Sequence, residues 1–160
     1  MSRATFQVVL NHETNHAFWQ AKFGSAWTPN WVLEGMANLV APAQPLLSNA
    51  EIGAVIIQTK TDARALEYVY QELQNEEDLI FKYSLWRAVI ADLCPARDAT
   101  ELIKCLDQWR RSTSKEKFDE VFLEHFGVTL VEYFTDFTER LTYISLPLVP
   151  ASCHRKVATS

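Results

Sequence analysis

The segment 12–16, His-Glu-Thr-Asn-His, places two imidazoles four positions apart and a carboxylate directly after the first. In a helix, residues four apart lie on one face, so His12 and His16 can direct both rings at one point. Glu13 lies about 100° further round the helix, beside that point. This arrangement suits a zinc ion held by two neutral imidazoles, with a carboxylate close to the attacking water.

A zinc site of this kind needs a third protein ligand and an open fourth position. Glu34 is the candidate, and seventeen residues separate it from His16. It lies in the segment Pro-Asn-Trp-Val-Leu-Glu-Gly-Met-Ala-Asn, residues 29–38. A turn marked by Gly24 and Pro29 can return this second segment, as a helix, against the first.

Together, H-E-x-x-H and P-x-W-x-x-E-G-x-A over residues 12–41 resemble the gluzincins, zinc metallopeptidases that bind zinc through two His and a downstream Glu. The resemblance is closest to the aminopeptidase-type and peptidase MA-like branches. It implies that His12, His16 and Glu34 are zinc ligands. It also implies that Glu13 is the general base, which takes a proton from the attacking water and delivers it to the leaving amine.

The same resemblance implies a hydroxyl donor for the oxyanion, and Tyr83, in the segment 82–90, is the candidate. An ordinary core tyrosine is an equal alternative at this position, and Tyr68 and Tyr70 compete for the role. Asn38 follows Glu34 by one turn, where the thermolysin-like branch carries an acidic residue that orients a histidine. The amide oxygen of Asn38 could accept the same hydrogen bond, but without a negative charge. We therefore prefer the interpretation that Asn38 lies on the helix surface.

The elements that must position these residues are helices. Gly and Pro lie mainly between segments of helical periodicity. No stretch of alternating apolar and polar residues is long enough to predict a strand. The predicted helices cover about residues 4–23, 31–40, 48–58, 62–74, 77–93, 98–110, 114–127 and 130–141. We therefore expect an all-α bundle over 1–146 and a flexible tail over 147–160. The bundle would resemble the active-site helix and the C-terminal helical subdomain of a zincin, with the upstream β-sheet largely absent.

Composition excludes several other classes. The chain has 160 residues, 48% of them hydrophobic, which argues against global disorder. A net charge of −5 argues against a broad nucleic-acid footprint. No apolar run reaches the length of a membrane span. Polar residues at 11–13 follow the first apolar residues too early for the core of a signal peptide. The chain has three cysteines, Cys94, Cys105 and Cys153, and none is in C-x-x-C spacing. This pattern indicates neither a disulfide framework nor a Cys-based metal site, and it favours a cytoplasmic location.

Only eleven residues precede His12, too few for the sheet that holds substrate in the resembled family. We expect a fragment with a missing N-terminal subdomain, a small gluzincin or an inactive relative. The leading hypothesis is a zinc metallopeptidase domain or fragment acting on a peptide or protein substrate. The alternative is a catalytically inactive, zincin-derived helical binding or scaffolding module.

Overall fold

A computed structural model of the chain describes residues 3–23, 29–42, 44–59, 76–112 and 117–146. Within these ranges it contains helices and no β-strand, which confirms the predicted all-α class. The α-helices are α1 (Arg3–Phe23), α2 (Asn30–Val40), α3 (Asn49–Thr59), α4 (Glu76–Leu93), α5 (Thr100–Arg111), α6 (Phe118–Phe126) and α7 (Leu130–Ser145). None of these helices combines the length and the apolar character needed to cross a membrane.

The helix boundaries follow local chemistry that the sequence displays. Thr129 accepts a hydrogen bond from the Glu132 N–H, and the Glu132 carboxylate accepts one from the Thr129 N–H, forming a capping box at the start of α7. Gly127 ends α6 with a φ of 75°, which glycine adopts without steric penalty. The predicted end of the last helix near residue 141 is wrong, because α7 continues to Ser145.

Two predictions about secondary structure fall on residues that the structure does not describe. The predicted helix over 62–74 lies outside the described ranges, and so does the predicted tail over 147–160.

The site helices pack through large aromatic side chains. α2 packs against both α1 and α4, α3 packs against α7, and α5 packs against α6. Trp19 of α1, Trp31 of α2 and Trp86 of α4 are almost completely buried. On α7, Phe134 and Phe137 are also buried. Apolar burial of this extent supplies the main driving force that holds α1 and α2 together.

Gly35 lets α2 approach α4 more closely than any other residue could. A Cβ atom at this position would lie 2.5 Å from Cγ1 of Ile90 and 2.7 Å from the carbonyl oxygen of Trp86. Both distances are shorter than van der Waals contact. Because Gly35 directly follows Glu34, this close approach also sets the position of Glu34 in the bundle.

Candidate metal centre

α1 presents His12 and His16 as neighbours on one helix face. Their ring centroids lie 4.8 Å apart, with the planes inclined at 77°. His12 is buried, and His16 is half-buried. The spacing of four residues therefore brings the two imidazoles together beside the second helix.

α2 brings Glu34 to the same place. Its Oε2 atom lies 3.8 Å from Nε2 of His12 and 3.7 Å from Nε2 of His16. One ligand atom from each residue lies within 4.8 Å of the others, so this group could hold a metal ion. It is the one group of three or more such side chains that the described ranges contain.

The carboxylate of Glu34 fits a bound cation better than a hydrogen-bonded pair. Its Oε2 atom is buried and has no hydrogen-bond partner, and 3.7–3.8 Å is too long for a hydrogen bond to either imidazole. Burial raises the pKa of this carboxyl, and the imidazoles of His16 and His12 oppose that shift. A buried carboxylate oxygen without a partner is costly, and a cation between the three side chains would offset that cost.

The distances from the Glu34 oxygen to the two imidazole nitrogens are close to those around a small divalent ion. Two atoms bound at 2.0–2.1 Å to a tetrahedral zinc ion are ~3.4 Å apart. Glu34 Oε2 lies 3.7 and 3.8 Å from the imidazole nitrogens, so movements of about 0.4 Å would bring it into range. The identity of the ion stays a prediction.

A backbone carbonyl orients His12, a feature that the sequence analysis missed. Nδ1 of His12 lies 3.1 Å from the carbonyl oxygen of Ala41. Because a carbonyl oxygen only accepts, Nδ1 must carry the proton, which leaves the Nε2 lone pair facing Glu34 in the neutral ring. Metal-binding histidines commonly hold such an outer hydrogen bond.

Pro42 explains why the Ala41 carbonyl is available. A residue before proline is disfavoured in the helical conformation, and Ala41 is extended at φ −149° and ψ 85°. α2 therefore ends here, and its terminal carbonyl turns to the histidine. Pro42 indicates in the sequence that α2 ends at this point. It does not indicate that the freed carbonyl contacts His12, because His12 is far away along the chain.

Asn38 is not the surface residue that the sequence predicted. It is 1% exposed, and its Nδ2 donates to the backbone carbonyl oxygen of Glu34 at 2.9 Å. The prediction was wrong because α2 is buried on more faces than an amphipathic surface helix, being packed against both α1 and α4. Asn38 thus bonds to the backbone of the helical turn that carries Glu34.

Glu13 and Tyr83 line one cleft with the three candidate ligands. The cleft has a volume of about 590 Å³ and also includes Gln20 and Asn30 among its walls. Glu13 is exposed, whereas Tyr83 is half-buried and its ring lies 6.0 Å from that of Trp86. The catalytic roles of Glu13 and Tyr83 stay predictions.

The competing tyrosines, Tyr68 and Tyr70, lie outside the described residues.

Lys82 is a buried cation near the centre that the sequence analysis did not identify. Its side chain is almost fully enclosed, and Nζ lies 5.1 Å from the centroid of the Trp86 ring. Its positive charge lowers the pKa of Glu34, although less than burial raises it. No motif marked this lysine, because its burial depends on how α4 packs.

Comparisons of the chain with models of protein families, with curated protein sequences and with solved structures find no match. The resemblance to gluzincins therefore stays a prediction.

Proposed function

We propose that this protein is a zinc-dependent metallopeptidase domain or fragment that hydrolyses peptide bonds. The observation that carries the proposal is the convergence of two imidazoles on one buried, unpaired carboxylate oxygen, which makes three potential ligands in all. Glu34 Oε2 faces Nε2 of both His12 and His16 and has no hydrogen-bond partner. Two imidazoles and one carboxylate form the ligand set of a catalytic zinc site, which leaves a coordination position open.

Five residues of the cleft have a role in this proposal: the three candidate ligands, Glu13 and Tyr83. Bound zinc supplies a Lewis acid that polarises water and lowers its pKa towards about 7. Glu13 accepts the proton as the water oxygen attacks the peptide carbonyl, and it returns the proton to the nitrogen as the C–N bond breaks. The Tyr83 hydroxyl donates a hydrogen bond to the oxyanion. Both side chains line the cleft that the ligand atoms face.

Metal analysis tests the binding half of the proposal. Wild-type protein loaded with zinc and freed of excess metal should retain about one zinc per chain by mass spectrometry. His16→Ala should lose most of that zinc. His125→Ala is the matched control, because His125 lies in a separate cluster with Glu101 and Gln108. Equal zinc content in wild type and His16→Ala would contradict the proposal.

Glu13→Gln tests the catalytic half. The substitution keeps the size of the side chain but removes its ability to accept a proton at neutral pH. We expect zinc to remain bound while cleavage of a fluorogenic peptide library falls by about 100-fold or more. Glu120→Gln, an exposed carboxylate on α6, is the control. Equal cleavage by the wild type and Glu13→Gln would refute the assigned role.

A second candidate function, a helical binding or scaffolding module, is favoured by the surface of α1. Phe6 and Phe18 are each more than half exposed, and Leu10 is 45% exposed. Large exposed apolar side chains on one helix are typical of interaction surfaces. This candidate gains if zinc binds but wild type and Glu13→Gln are equally inert towards every peptide in the library.

A further inference from the structure

A second concave surface lies between α3, α4 and α7 and includes no residue of the metal centre. It has a volume of about 690 Å³, larger than the cleft beside the histidines. Ala88 of α4 and Phe137 and Leu141 of α7 are among its lining residues, and all three are buried. We call this surface the acidic groove, for the charges described next.

Carboxylates dominate the polar lining of the acidic groove. Asp92, Asp136 and Glu139 line it together with one guanidinium, Arg140. Arg140 donates to both carboxylate oxygens of Asp92 at 2.8 Å and to Asp136 at 2.8 Å. The hydrogen bonds from Arg140 lower the pKa of Asp92, so this carboxyl is ionised at neutral pH. Three carboxylates and one guanidinium leave the groove with an excess of two negative charges.

Some of the apolar side chains that line the groove are exposed. Tyr143 is 76% exposed and Ile144 is 47% exposed. Leu146, which directly follows α7, is 45% exposed. An enclosed small-molecule pocket buries most of its ligand, whereas this surface is open and elongated along the last turns of α7. Its shape favours an extended or helical peptide.

We propose that the acidic groove binds a basic amphipathic peptide segment of a partner protein. Apolar side chains of the segment pack against the exposed Tyr143 and Ile144, while its Lys or Arg side chains reach Asp136 and Glu139. The charge excess of the groove selects a basic partner, because like charges across an interface are repelled. The proposal does not depend on the function of the metal centre, since the two surfaces share no lining residue.

Three synthetic peptides test this proposal on the whole 160-residue chain. The first is a 14-residue helical peptide with Leu on one face and Lys on the other. The second replaces every Lys with Glu, and the third has the Leu and Lys positions scrambled to remove the apolar face. Titration calorimetry should detect binding of the first peptide only. Amide chemical shifts should change in residues 88–92 and 136–146.

Two charge reversals locate the site. Glu139→Lys should weaken binding of the basic peptide by about 2- to 30-fold, because an exposed ion pair contributes a factor of about 1.4–5 and reversal also adds a repulsion. Ile144→Ser should weaken binding through loss of the apolar contact. Glu120→Lys changes the net charge equally on α6 and should leave the affinity within twofold.

Other outcomes would overturn the proposal. If the scrambled peptide binds as tightly as the amphipathic one, binding depends on charge alone and not on the groove. Equal effects of Glu139→Lys and Glu120→Lys would lead to the same conclusion. If Arg155→Glu combined with Lys156→Glu strengthens peptide binding, the C-terminal segment of this chain competes for the groove. That result would replace the partner protein as the occupant.

Discussion

Replacing Glu34 with Gln should change the stability of the protein in opposite directions with and without zinc. In the metal-free protein, Glu34 is a largely buried carboxyl whose Oε2 lacks a hydrogen-bond partner. Gln has nearly the same shape without the charge, so removing the carboxylate should leave the melting temperature unchanged or raise it. With zinc present, the same substitution removes one of three ligands and should be destabilising.

The expected size of the zinc effect follows from mass action, because a ligand that binds only the folded state stabilises it. Zinc at about 100 times its Kd stabilises the folded state by about 2.7 kcal/mol. For a chain of 160 residues, this corresponds to a rise in Tm of about 5–11 °C.

Glu34→Gln should abolish most of that rise. Loss of an outer hydrogen bond to a metal ligand weakens binding about 10- to 100-fold, and loss of a ligand itself should reach at least the upper value. The same zinc concentration then equals the new Kd and contributes only about 0.4 kcal/mol, or about 1–2 °C.

Differential scanning calorimetry of the wild type, Glu34→Gln and the control Glu120→Gln, each with and without zinc, measures these shifts. The reasoning is refuted if zinc raises the Tm of wild type and Glu34→Gln equally. It is refuted as well if metal-free Glu34→Gln melts several degrees below metal-free wild type, because the buried carboxylate would then be stabilising on its own.

Three further substitutions test other parts of the structure. Pro42→Ala should lower the zinc affinity about 10- to 100-fold without loss of helicity. Without the proline, Ala41 can adopt the helical conformation, and its carbonyl oxygen then no longer accepts the hydrogen bond of His12. Unchanged affinity in a zinc titration would contradict this. Gly53→Ala should destabilise the fold by about 1–3 kcal/mol in urea unfolding, because the new Cβ would lie 2.1 Å from a carbonyl oxygen of α7; an unchanged midpoint would show that the helices separate freely. Asp92→Asn should destabilise the protein at pH 7 and progressively less below about pH 4. The pKa of Asp92 is lowered in the folded state, so its contribution is present above the unfolded pKa and lost as the pH falls through the folded one; urea unfolding at pH 7 and pH 3 measures the difference.

Much of the local structure was predictable because its determinants are neighbours in sequence. Thr129 and Glu132 are three residues apart, and Gly127 ends a helix through its own backbone conformation. Prediction failed at the end of α7, which continues past residue 141. There, Ser145 Oγ donates to the Leu141 carbonyl oxygen, and both groups lie against Gly53 of α3. That helix end depends on a contact with a distant segment.

In the candidate metal centre, too, some features were predictable from residue spacing and others depend on contacts between distant segments. The i,i+4 spacing placed His12 and His16 on one helix face, and the second motif identified Glu34 as the residue to meet them. The sequence left the tyrosine open, and packing places Tyr83 on the cleft wall. The burial of Asn38 and Lys82 was likewise invisible, because it depends on which faces of α2 and α4 are covered.

The sequence by itself thus determined the helical class, most helix boundaries and the identity of the three candidate ligands, because these depend on spacing and on local hydrogen bonding. Only the tertiary structure decided that Glu34 Oε2 is buried without a partner, that the Ala41 carbonyl orients His12, and that carboxylates of α4 and α7 line one groove. Each of these features joins atoms from segments far apart in the chain. Their contacts are set by how large side chains and close-packed glycines let the helices meet.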